Sequence, residues 1–498
     1  MDKNKMKRIF SFIEKHEVLL SILCAVALLR LPGLFEPNRY ADEDIYLTIG
    51  QGLRRGLLLY RDIYDNKTPL IYLIAAIAGN VMWFRFILMI WNLVNVALIW
   101  GLSKKLISNK WGVILATVLF SAFSTIPLLE GEIANGEIFM IMPVTAALYL
   151  LLSKTGQLTQ RPILYLWAGI LWSIAVLFKS PPAVEFFGLA FFLVFFQAKS
   201  IKEIFGKIFD KRLWLLLFGF AIPILTSVFY FFLKGVGDVY LRSVFLQNVP
   251  YLSSWSGGGG TPLFSGGLVT RGMIMILALS LIWIFRRKLG NEFGLVAIWA
   301  VTATFGAFLS GRPYPHYLLE VVPPMALLIG LVSTQRSAHR LVFAAFISGL
   351  LVFGIVRYRF WYYKSLAYYE NFVSYIFGGK TKDQYYEYWG DGVLRNYKIG
   401  DYIKRATGKE DKVFIWGTEP AIYVLSNRQP AVKYTVSYHV LDFSAQAEVG
   451  QKLMKENPKV VLVVKGEKGK FSQLSGILAN NYVLTKTVGD IAVYLRLK

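Results

Sequence analysis

Long apolar runs, separated by short polar stretches, recur along the first 356 residues of this chain. A helix that crosses a bilayer needs about 20 mostly apolar residues, because the hydrocarbon core is about 30 Å thick. Charged residues make up only 17% of the chain, whereas soluble proteins carry about 25%. The pattern therefore predicts an α-helical polytopic membrane protein with many membrane-spanning helices.

Eleven of these runs are candidate spans. They lie near residues 18–35, 83–103, 111–128, 137–153, 163–178, 183–197, 213–233, 271–285, 293–310, 317–333 and 341–356. A shorter apolar segment, TPLIYLIAAIAGN at 68–80, is predicted to be an interfacial or re-entrant helix, which is tolerated where protein or water covers the backbone. Counting it as a span would reverse the charge distribution of all later segments.

Lysine and arginine are concentrated in alternate segments between the runs, such as SKKLISNK and KSIKEIFGKIFDKR. Cytoplasmic loops carry this excess, so the N-terminus is predicted to be cytoplasmic and the C-terminal region extracytoplasmic. The same placement explains the net charge of +23, so we expect no nucleic-acid partner. The predicted location is the plasma (inner) membrane, with the bilayer itself as a partner.

Hydropathy divides the chain into three predicted regions. A transmembrane domain over 1–356 is followed by an interfacial aromatic linker over 357–399 and a small soluble α/β domain over 400–498. In the last region, KVFIWG and KVVLVV predict strands, and NYVLTKTVGDIAVYLRL predicts a terminal hairpin. Two long outer loops are expected: 36–82 with interfacial helices, and 234–270, whose glycines predict flexibility.

The outer face carries the candidates for chemistry, in the stretches ADEDIY, YRDIYDNKTPLIY, LLEGEIANGEIFM and SGRPYPHYLLEVVPP. Carboxylates can accept a proton from a hydroxyl or hold a divalent cation, and lysine or arginine can bind phosphate. The candidate residues are Asp42, Glu43, Asp65, Lys67, Glu132, Asn135, Glu137, Arg312 and His316, with Arg30 near the outer end of the first span. Each also has a structural explanation: a solvated acidic loop, a snorkelling lysine, a helix cap or an aromatic turn.

An acidic pair after the first span is followed, in order, by RDxxDxKxPLIY, NGE and GRxYPHYxLxxxPP. This series, on one predicted face of the membrane, resembles the GT-C integral-membrane glycosyltransferases. The similarity is greatest to the bacterial branch related to dolichyl-phosphate-mannose–protein mannosyltransferases and aminoarabinose lipid A transferases. The tail DKVFIWGTEPAIYVLSNRQPA also resembles that branch.

The resemblance implies transfer of a sugar from a polyprenyl-phosphate-linked donor to a hydroxyl of a glycolipid, polysaccharide or protein. It also implies inversion at the anomeric carbon and a reaction on the outer face of the plasma membrane. Asp42 would be the general base, with Glu43 as its neighbour or substitute, because the family pattern is an Asp-Glu pair. Lys67 would contact the donor phosphate.

The remaining candidates take weaker implied roles. Glu137, with Glu132 and Asn135 nearby, matches the acidic motif of the second outer loop, in a structural, acceptor-binding or metal-binding role. Arg312 and His316 would be phosphate or sugar contacts. No cofactor is assigned, and the sequence leaves a divalent cation open because no convincing ligand set is apparent.

Three other functions share this topology. A lipid-linked glycan ligase or polymerase would use an oligosaccharide donor, and a non-catalytic assembly subunit is a further alternative. A transporter or flippase would carry charge near the bilayer midplane and often shows inverted repeats. The polar groups here are concentrated at one face, which favours a glycosyltransferase over a transporter.

The topology is testable by cysteine labelling. Cysteines introduced within 104–110 are expected not to react with a membrane-impermeant thiol reagent in intact cells, because the charge rule places that segment in the cytoplasm. The control is labelling after permeabilisation. Labelling of intact cells would contradict the predicted topology.

Overall fold

The structure of the protein, a computed structural model, describes residues 3–246, 267–334 and 337–497, and for 3–15 and 468–469 it describes the backbone only. The chain forms two compact units. The first unit comprises Met1–Leu31, Leu88–Phe231 and Phe245–Ser365, and the second comprises Pro32–Ile87, Phe232–Val244 and Leu366–Lys498.

The first unit is built from helices. Those that lie wholly or mostly in it are Lys3–Arg30, Val81–Leu106, Lys110–Phe123, Gly136–Leu151, Pro162–Phe178, Pro182–Phe191, Ile201–Ile208, Lys211–Leu233, Leu268–Ile284, Arg286–Leu289, Asn291–Ala307, Val322–Thr334 and Ala338–Tyr358. Short 3₁₀ segments of this unit are Pro127–Leu129 and Pro315–Val321, and a π-helical turn is Phe192–Phe196. The 3₁₀ segment Leu31–Leu34 and the π-helical turn Arg242–Leu246 lie mostly in the second unit.

Five helical stretches of the described residues are long and apolar enough to cross a membrane: His16–Leu34, Val81–Leu106, Lys211–Leu233, Pro315–Thr334 and Ala338–Tyr358. Shorter apolar helices are Lys110–Phe123, Gly136–Leu151, Pro162–Phe178, Pro182–Phe196 and Leu268–Ile284. Every predicted span overlaps a helix. The count of eleven spans stays a prediction, because length and composition alone do not show which helices cross.

A pair of glycines allows close helix packing in the first unit. A Cβ at Gly169 would lie 2.1 Å from the carbonyl oxygen of Leu216, and a Cβ at Gly219 would lie 2.1 Å from that of Leu166. The helices Pro162–Phe178 and Lys211–Leu233 therefore touch backbone to backbone. Small residues serve this purpose where lipid tails compete for apolar contact.

The second unit combines segments from early in the chain with the C-terminal region. Its helices are Ala41–Arg54, Leu70–Ala78, Gly237–Leu241, Ser365–Ile376, Lys382–Glu387, Asp391–Ala406, Ala421–Ser426, Ser437–Asp442, Gln446–Glu456 and Ser472–Asn481, with a 3₁₀ segment at Lys465–Lys470. The residues from 41 to 54 pack on the C-terminal region: Thr48 Oγ1 donates to the carbonyl of Pro420 at 3.3 Å, and Gln51 Nε2 to that of Val424 at 3.4 Å.

A four-stranded sheet lies in the C-terminal part of this unit. Its strands are β1 Val413–Trp416, β2 Val460–Val464, β3 Tyr482–Val488 and β4 Ile491–Arg496. Their order is β1-β2-β4-β3, with β1 and β2 parallel and the other pairs antiparallel. The two predicted strands and the terminal hairpin are thus confirmed.

Both faces of β1 are covered, which explains why KVFIWG is apolar without alternation. Phe414 and Trp416 belong to one buried cluster with residues of the helices Gln446–Glu456 and Ser472–Asn481. Val413 and Ile415 belong to a second, with residues of Asp391–Ala406 and Ala421–Ser426. Tyr64, from the first outer loop, joins the first cluster, and its N–H donates to the carbonyl of Lys433 at 2.9 Å.

The predicted flexible loop over 234–270 is wrong for its first part, which is helical at Gly237–Leu241 and Arg242–Leu246. The reason is burial: Tyr240 is fully buried, and its ring packs 5.2 Å from that of Tyr60. The glycine-rich part, 247–266, lies outside the described residues.

Gly50 lies where helix Ala41–Arg54 packs on helix Leu70–Ala78. A Cβ there would be 2.6 Å from the backbone nitrogen of Ala76 and 2.7 Å from the carbonyl carbon of Ala75, so the helices would have to separate. We expect Gly50→Ala to destabilise the protein by about 1–3 kcal/mol and to lower its Tm in detergent.

Gly206→Ala is the matched control, since a Cβ on this helical glycine would meet nothing within 4 Å. Equal Tm values for the two variants would show that the close approach at Gly50 is not needed.

Candidate functional site

Three carboxylates, Asp42, Glu43 and Asp44, lie in the first turn of helix Ala41–Arg54. Helix N-termini favour negative charge because their N–H groups lack intrahelical acceptors. Successive residues of a helix point about 100° apart, so each of the three side chains has its own surroundings. Glu43 and Asp44 are buried, and Asp42 is partly exposed.

Asp42 pairs with Lys67. Their Oδ2 and Nζ atoms are 3.2 Å apart, and the side chains are 28% and 23% exposed. Tyr46 packs against both: its hydroxyl donates to Asp42 at 3.4 Å, and its ring centroid lies 4.8 Å from Nζ. Burial lowers the pKa of Lys67, but Asp42, Tyr46 and Asp65 outweigh burial and hold that pKa well above its usual value. The ammonium therefore stays charged beside an accessible carboxylate.

Asp65 is a second carboxylate near this ammonium. It is buried, and its Oδ2 lies 4.0 Å from Lys67 Nζ and accepts a 2.8 Å hydrogen bond from the Tyr72 hydroxyl. The backbone of Lys67 is also held: its N–H donates to Tyr72 Oη at 3.3 Å, and its carbonyl accepts from the Tyr60 hydroxyl at 2.8 Å. The lysine is thus fixed between two carboxylates.

Glu43 is held by Arg85, whose Nε and Nη2 atoms donate to its two oxygens at 3.0 and 2.5 Å. Glu36 shares the same guanidinium at 2.9 Å and also pairs with Arg39 and the Tyr368 hydroxyl. Burial raises the pKa of Glu36, and Arg39 and Arg85 reverse the effect, so that this pKa lies below its usual value. Sequence reasoning missed this network, although a lone arginine in an apolar helix is a signal of it.

Asp44 has an amide as its partner. It is buried, and its Oδ1 accepts a 2.5 Å hydrogen bond from Asn38 Nδ2. Burial raises the pKa of Asp44 to about 8, against the opposing effect of the Asn38 hydrogen bond. The third carboxylate of the series is therefore a protonated, buried acid at neutral pH.

His439 joins the charged group from the C-terminal region. It is buried on helix Ser437–Asp442, and its Nε2 lies 3.4 Å from Asp65 Oδ1. Its ring also packs edge-on against Tyr64. Burial lowers the pKa of His439 although Asp65 raises it, so the imidazole is neutral. No local motif marks this residue in the sequence.

A separate polar cluster lies in the first unit. His316 pairs through Nδ1 with Glu130, and its Nε2 lies 3.5 Å from Glu137 Oε1. Lys179 pairs with Glu137 and lies 4.4 Å from the ring centroid of Tyr317. Glu137 lies in the first turn of helix Gly136–Leu151. Lys179 is the residue that follows the end of helix Pro162–Phe178. From the sequence alone, Lys179 has no assigned role in the site.

Asn135 is the N-cap residue of helix Gly136–Leu151, but its side chain makes no capping hydrogen bond. It is fully buried, and both of its amide atoms lack a hydrogen-bond partner in the part of the chain that the structure describes. Glu132 is also buried, and it lies in the turn that precedes this helix.

The two candidate arginines have different surroundings. Arg30 is buried, and its Nη2 donates to the carbonyls of Ser124 and Gly131 at 2.6 and 2.8 Å, which is a structural role. Arg312 is half-buried in the turn before Pro315–Val321, where its backbone N–H donates to Ser310 Oγ at 3.2 Å.

No group of three or more His, Cys, Asp or Glu side chains among the described residues is arranged to hold a metal ion. The acidic residues instead pair with lysine, arginine and histidine, as described above.

The family model for dolichyl-phosphate-mannose-protein mannosyltransferases matches residues 69–230, which is less than half of the chain. No curated protein sequence matches the chain.

Solved structures resemble the chain over nearly its whole length. ArnT from Cupriavidus metallidurans bound to undecaprenyl phosphate is 12% identical, with a TM-score of 0.57, and the match covers 97% of this chain and 98% of that one. The apo state of the same protein is 12% identical with a TM-score of 0.56, covering 98% of each chain. At this identity the likeness establishes a shared fold. With the family model, it confirms the resemblance to GT-C glycosyltransferases.

The raised pKa of Asp44 makes stability depend on pH. In the unfolded chain this carboxyl ionises near its usual pKa of 3.8, and in the folded protein at about 8. Between these values the folded state holds the additional proton, so its stability falls as pH rises, by at most about 1.4 kcal/mol per pH unit. The Asp44→Asn variant keeps a side-chain oxygen that can accept the hydrogen bond from Asn38, but its amide does not titrate.

We therefore expect the Tm of the wild type in detergent to fall more between pH 5 and pH 8 than that of Asp44→Asn. Parallel Tm curves for the two proteins would contradict a buried, protonated Asp44.

Proposed function

We propose that the chain is a membrane glycosyltransferase of the GT-C type, which moves a sugar from a polyprenyl-phosphate donor to a hydroxyl acceptor with inversion at the anomeric carbon. The observation that carries this proposal is the accessible pair of Asp42 and Lys67, a carboxylate and a fixed ammonium 3.2 Å apart. The reaction needs both groups: a base for the hydroxyl and a cation for the phosphate.

Asp42, rather than Glu43, is the proposed base. Both oxygens of Glu43 accept hydrogen bonds from Arg85, and its side chain is 1% exposed. A base must come within about 2.6–3.2 Å of the oxygen whose proton it removes, which a carboxylate enclosed in this way does not permit. Asp42 is exposed enough to meet an acceptor hydroxyl.

In the proposed step the acceptor oxygen attacks the anomeric carbon from the side opposite the phosphate. A carbon–oxygen bond to the acceptor forms while the bond from the anomeric carbon to the phosphate oxygen breaks, and the hydroxyl proton passes to Asp42. Polyprenyl phosphate leaves with the bonding electron pair. Lys67 stabilises the negative charge that grows on this leaving group.

We assign acceptor binding to the cluster in the first unit, where Lys179 is the most accessible member. Asn135 is fully buried, so we assign it to the start of helix Gly136–Leu151 and not to contact with the acceptor. Glu137 is held by Lys179. His316 lies between two carboxylates, an environment that disfavours an anion, so we assign it to orienting Glu137. We keep Arg312 as a proposed contact to the donor phosphate or to the sugar.

The membrane setting supports a lipid-linked donor. Among the described residues, five helical stretches have the length and apolar composition of membrane spans, and the fold is shared with ArnT, which has been crystallised with undecaprenyl phosphate. We place the reaction on the outer face of the plasma membrane, with the N-terminus in the cytoplasm and the C-terminal region outside. The acceptor is a glycolipid, a polysaccharide or a protein hydroxyl.

Transfer from radiolabelled polyprenyl-phosphate sugars to membrane extract tests this proposal with the purified protein. We expect Asp42→Asn to lower the rate by at least about 100-fold, as loss of a general base does. Lys67→Ala is expected to lower it by about 100-fold or more, because a charge-stabilising group is lost.

Asp62→Asn is the control, since Asp62 lies in the same outer loop and pairs with the neighbouring Arg61. Undiminished transfer by Asp42→Asn would remove the assigned base. No transfer by the wild type with any polyprenyl-phosphate sugar would overturn the function and favour transport or assembly.

A further inference from the structure

Lys67 has two carboxylates within reach. Its Nζ lies 3.2 Å from Asp42 Oδ2 and 4.0 Å from Asp65 Oδ2. Asp65 is the more deeply buried of the two, with a side chain 1% exposed. A buried carboxylate with too few donors attracts a nearby cation strongly, because the low dielectric increases the force between charges. The position of the ammonium therefore depends on how well Asp65 is satisfied by other groups.

Three groups other than the lysine satisfy Asp65. The Tyr72 hydroxyl donates to Oδ2 at 2.8 Å, and the N–H of Asn66 donates to Oδ1 at 2.8 Å. The third is His439, whose Nε2 lies 3.4 Å from Oδ1. Its Nδ1 is buried without a hydrogen-bond partner among the described residues, so the single proton of the neutral ring belongs on Nε2, facing Asp65.

His439 belongs to the C-terminal region and is far from Lys67 in sequence. It is held there by packing: its ring lies against those of Tyr64 and Phe443, and Tyr64 is part of the buried cluster on one face of the sheet. The contact with Asp65 is thus set by packing between the C-terminal region and Tyr64, the residue next to Asp65.

We propose that His439 is a positioning residue for the donor-phosphate site: by holding its Nε2 3.4 Å from Asp65 it keeps the Lys67 ammonium directed toward Asp42 and the phosphate. This inference rests on the proposed function, in that Lys67 is taken to bind the donor phosphate. Without the imidazole, Asp65 loses this polar contact and draws the ammonium toward itself. The phosphate of the donor then meets a displaced cation, and the donor binds less tightly.

The experiment measures binding of undecaprenyl phosphate to the purified full-length protein in detergent, together with donor KM and kcat for sugar transfer. We expect His439→Leu to weaken binding and raise donor KM by about 10-fold, with a smaller change in kcat. His439→Gln, whose amide nitrogen can reach Asp65, is expected to restore binding to within about threefold of the wild type. When one residue acts through another, the effects of substituting each are not additive. The double variant His439→Leu with Asp65→Asn should therefore bind undecaprenyl phosphate no worse than Asp65→Asn alone.

Val440→Ala is the matched control, because Val440 is buried on the same helix and packs in the sheet cluster. It is expected to lower Tm but to leave the affinity for undecaprenyl phosphate within about twofold. The inference is overturned by multiplied losses in the double variant, by a His439→Gln variant as weak as His439→Leu, or by an equal loss in Val440→Ala.

The two proposals fail separately. A wild type that binds undecaprenyl phosphate but transfers no sugar overturns the proposed function, and the binding series still decides the role of His439. A wild type that does not bind undecaprenyl phosphate overturns the inference, because there is then no phosphate site to position.

Discussion

The buried guanidinium of Arg85 is the interaction on which the candidate site depends. It satisfies Glu43 through two hydrogen bonds and Glu36 through a third contact, and all three side chains are almost inaccessible. Removing one partner from such a group leaves a buried charge, which costs about 3–5 kcal/mol. The network fixes the start of helix Ala41–Arg54, and helix geometry then turns Asp42 toward Lys67.

Two buried carboxyl groups in the first turn of helix Ala41–Arg54 have different kinds of partner. Glu43 is met by the Arg85 guanidinium, whereas Asp44 is met by the Asn38 amide, and burial raises the pKa of Asp44 to about 8. Three adjacent acidic residues thus have three settings: one is accessible beside a lysine, one is buried against an arginine and one is buried against an amide. Their separate roles follow from partner and burial, not from residue type.

Local patterns predicted much of the fold and the outer part of the site. Apolar runs located the helices, the runs around Phe414 and Val461 located strands, and motif order located Asp42 and Lys67. Ranking Asp42 above Glu43 required knowing where Arg85 points, which no local pattern shows. His439 was missed because its contact with Asp65 joins residues more than 370 positions apart. The helical residues 237–246 were missed because buried aromatic contacts override the glycine-rich composition that follows them.

The packing of Tyr64 and Asp65 on the C-terminal region has a consequence for biosynthesis. Their partners Tyr434 and His439 are synthesised about 370 residues later. The segment that carries Asp65 therefore lacks the surface that completes it until all the intervening helices have been made. A chain that stalls or is truncated before residue 434 has a membrane region without the contacts that order its charged centre.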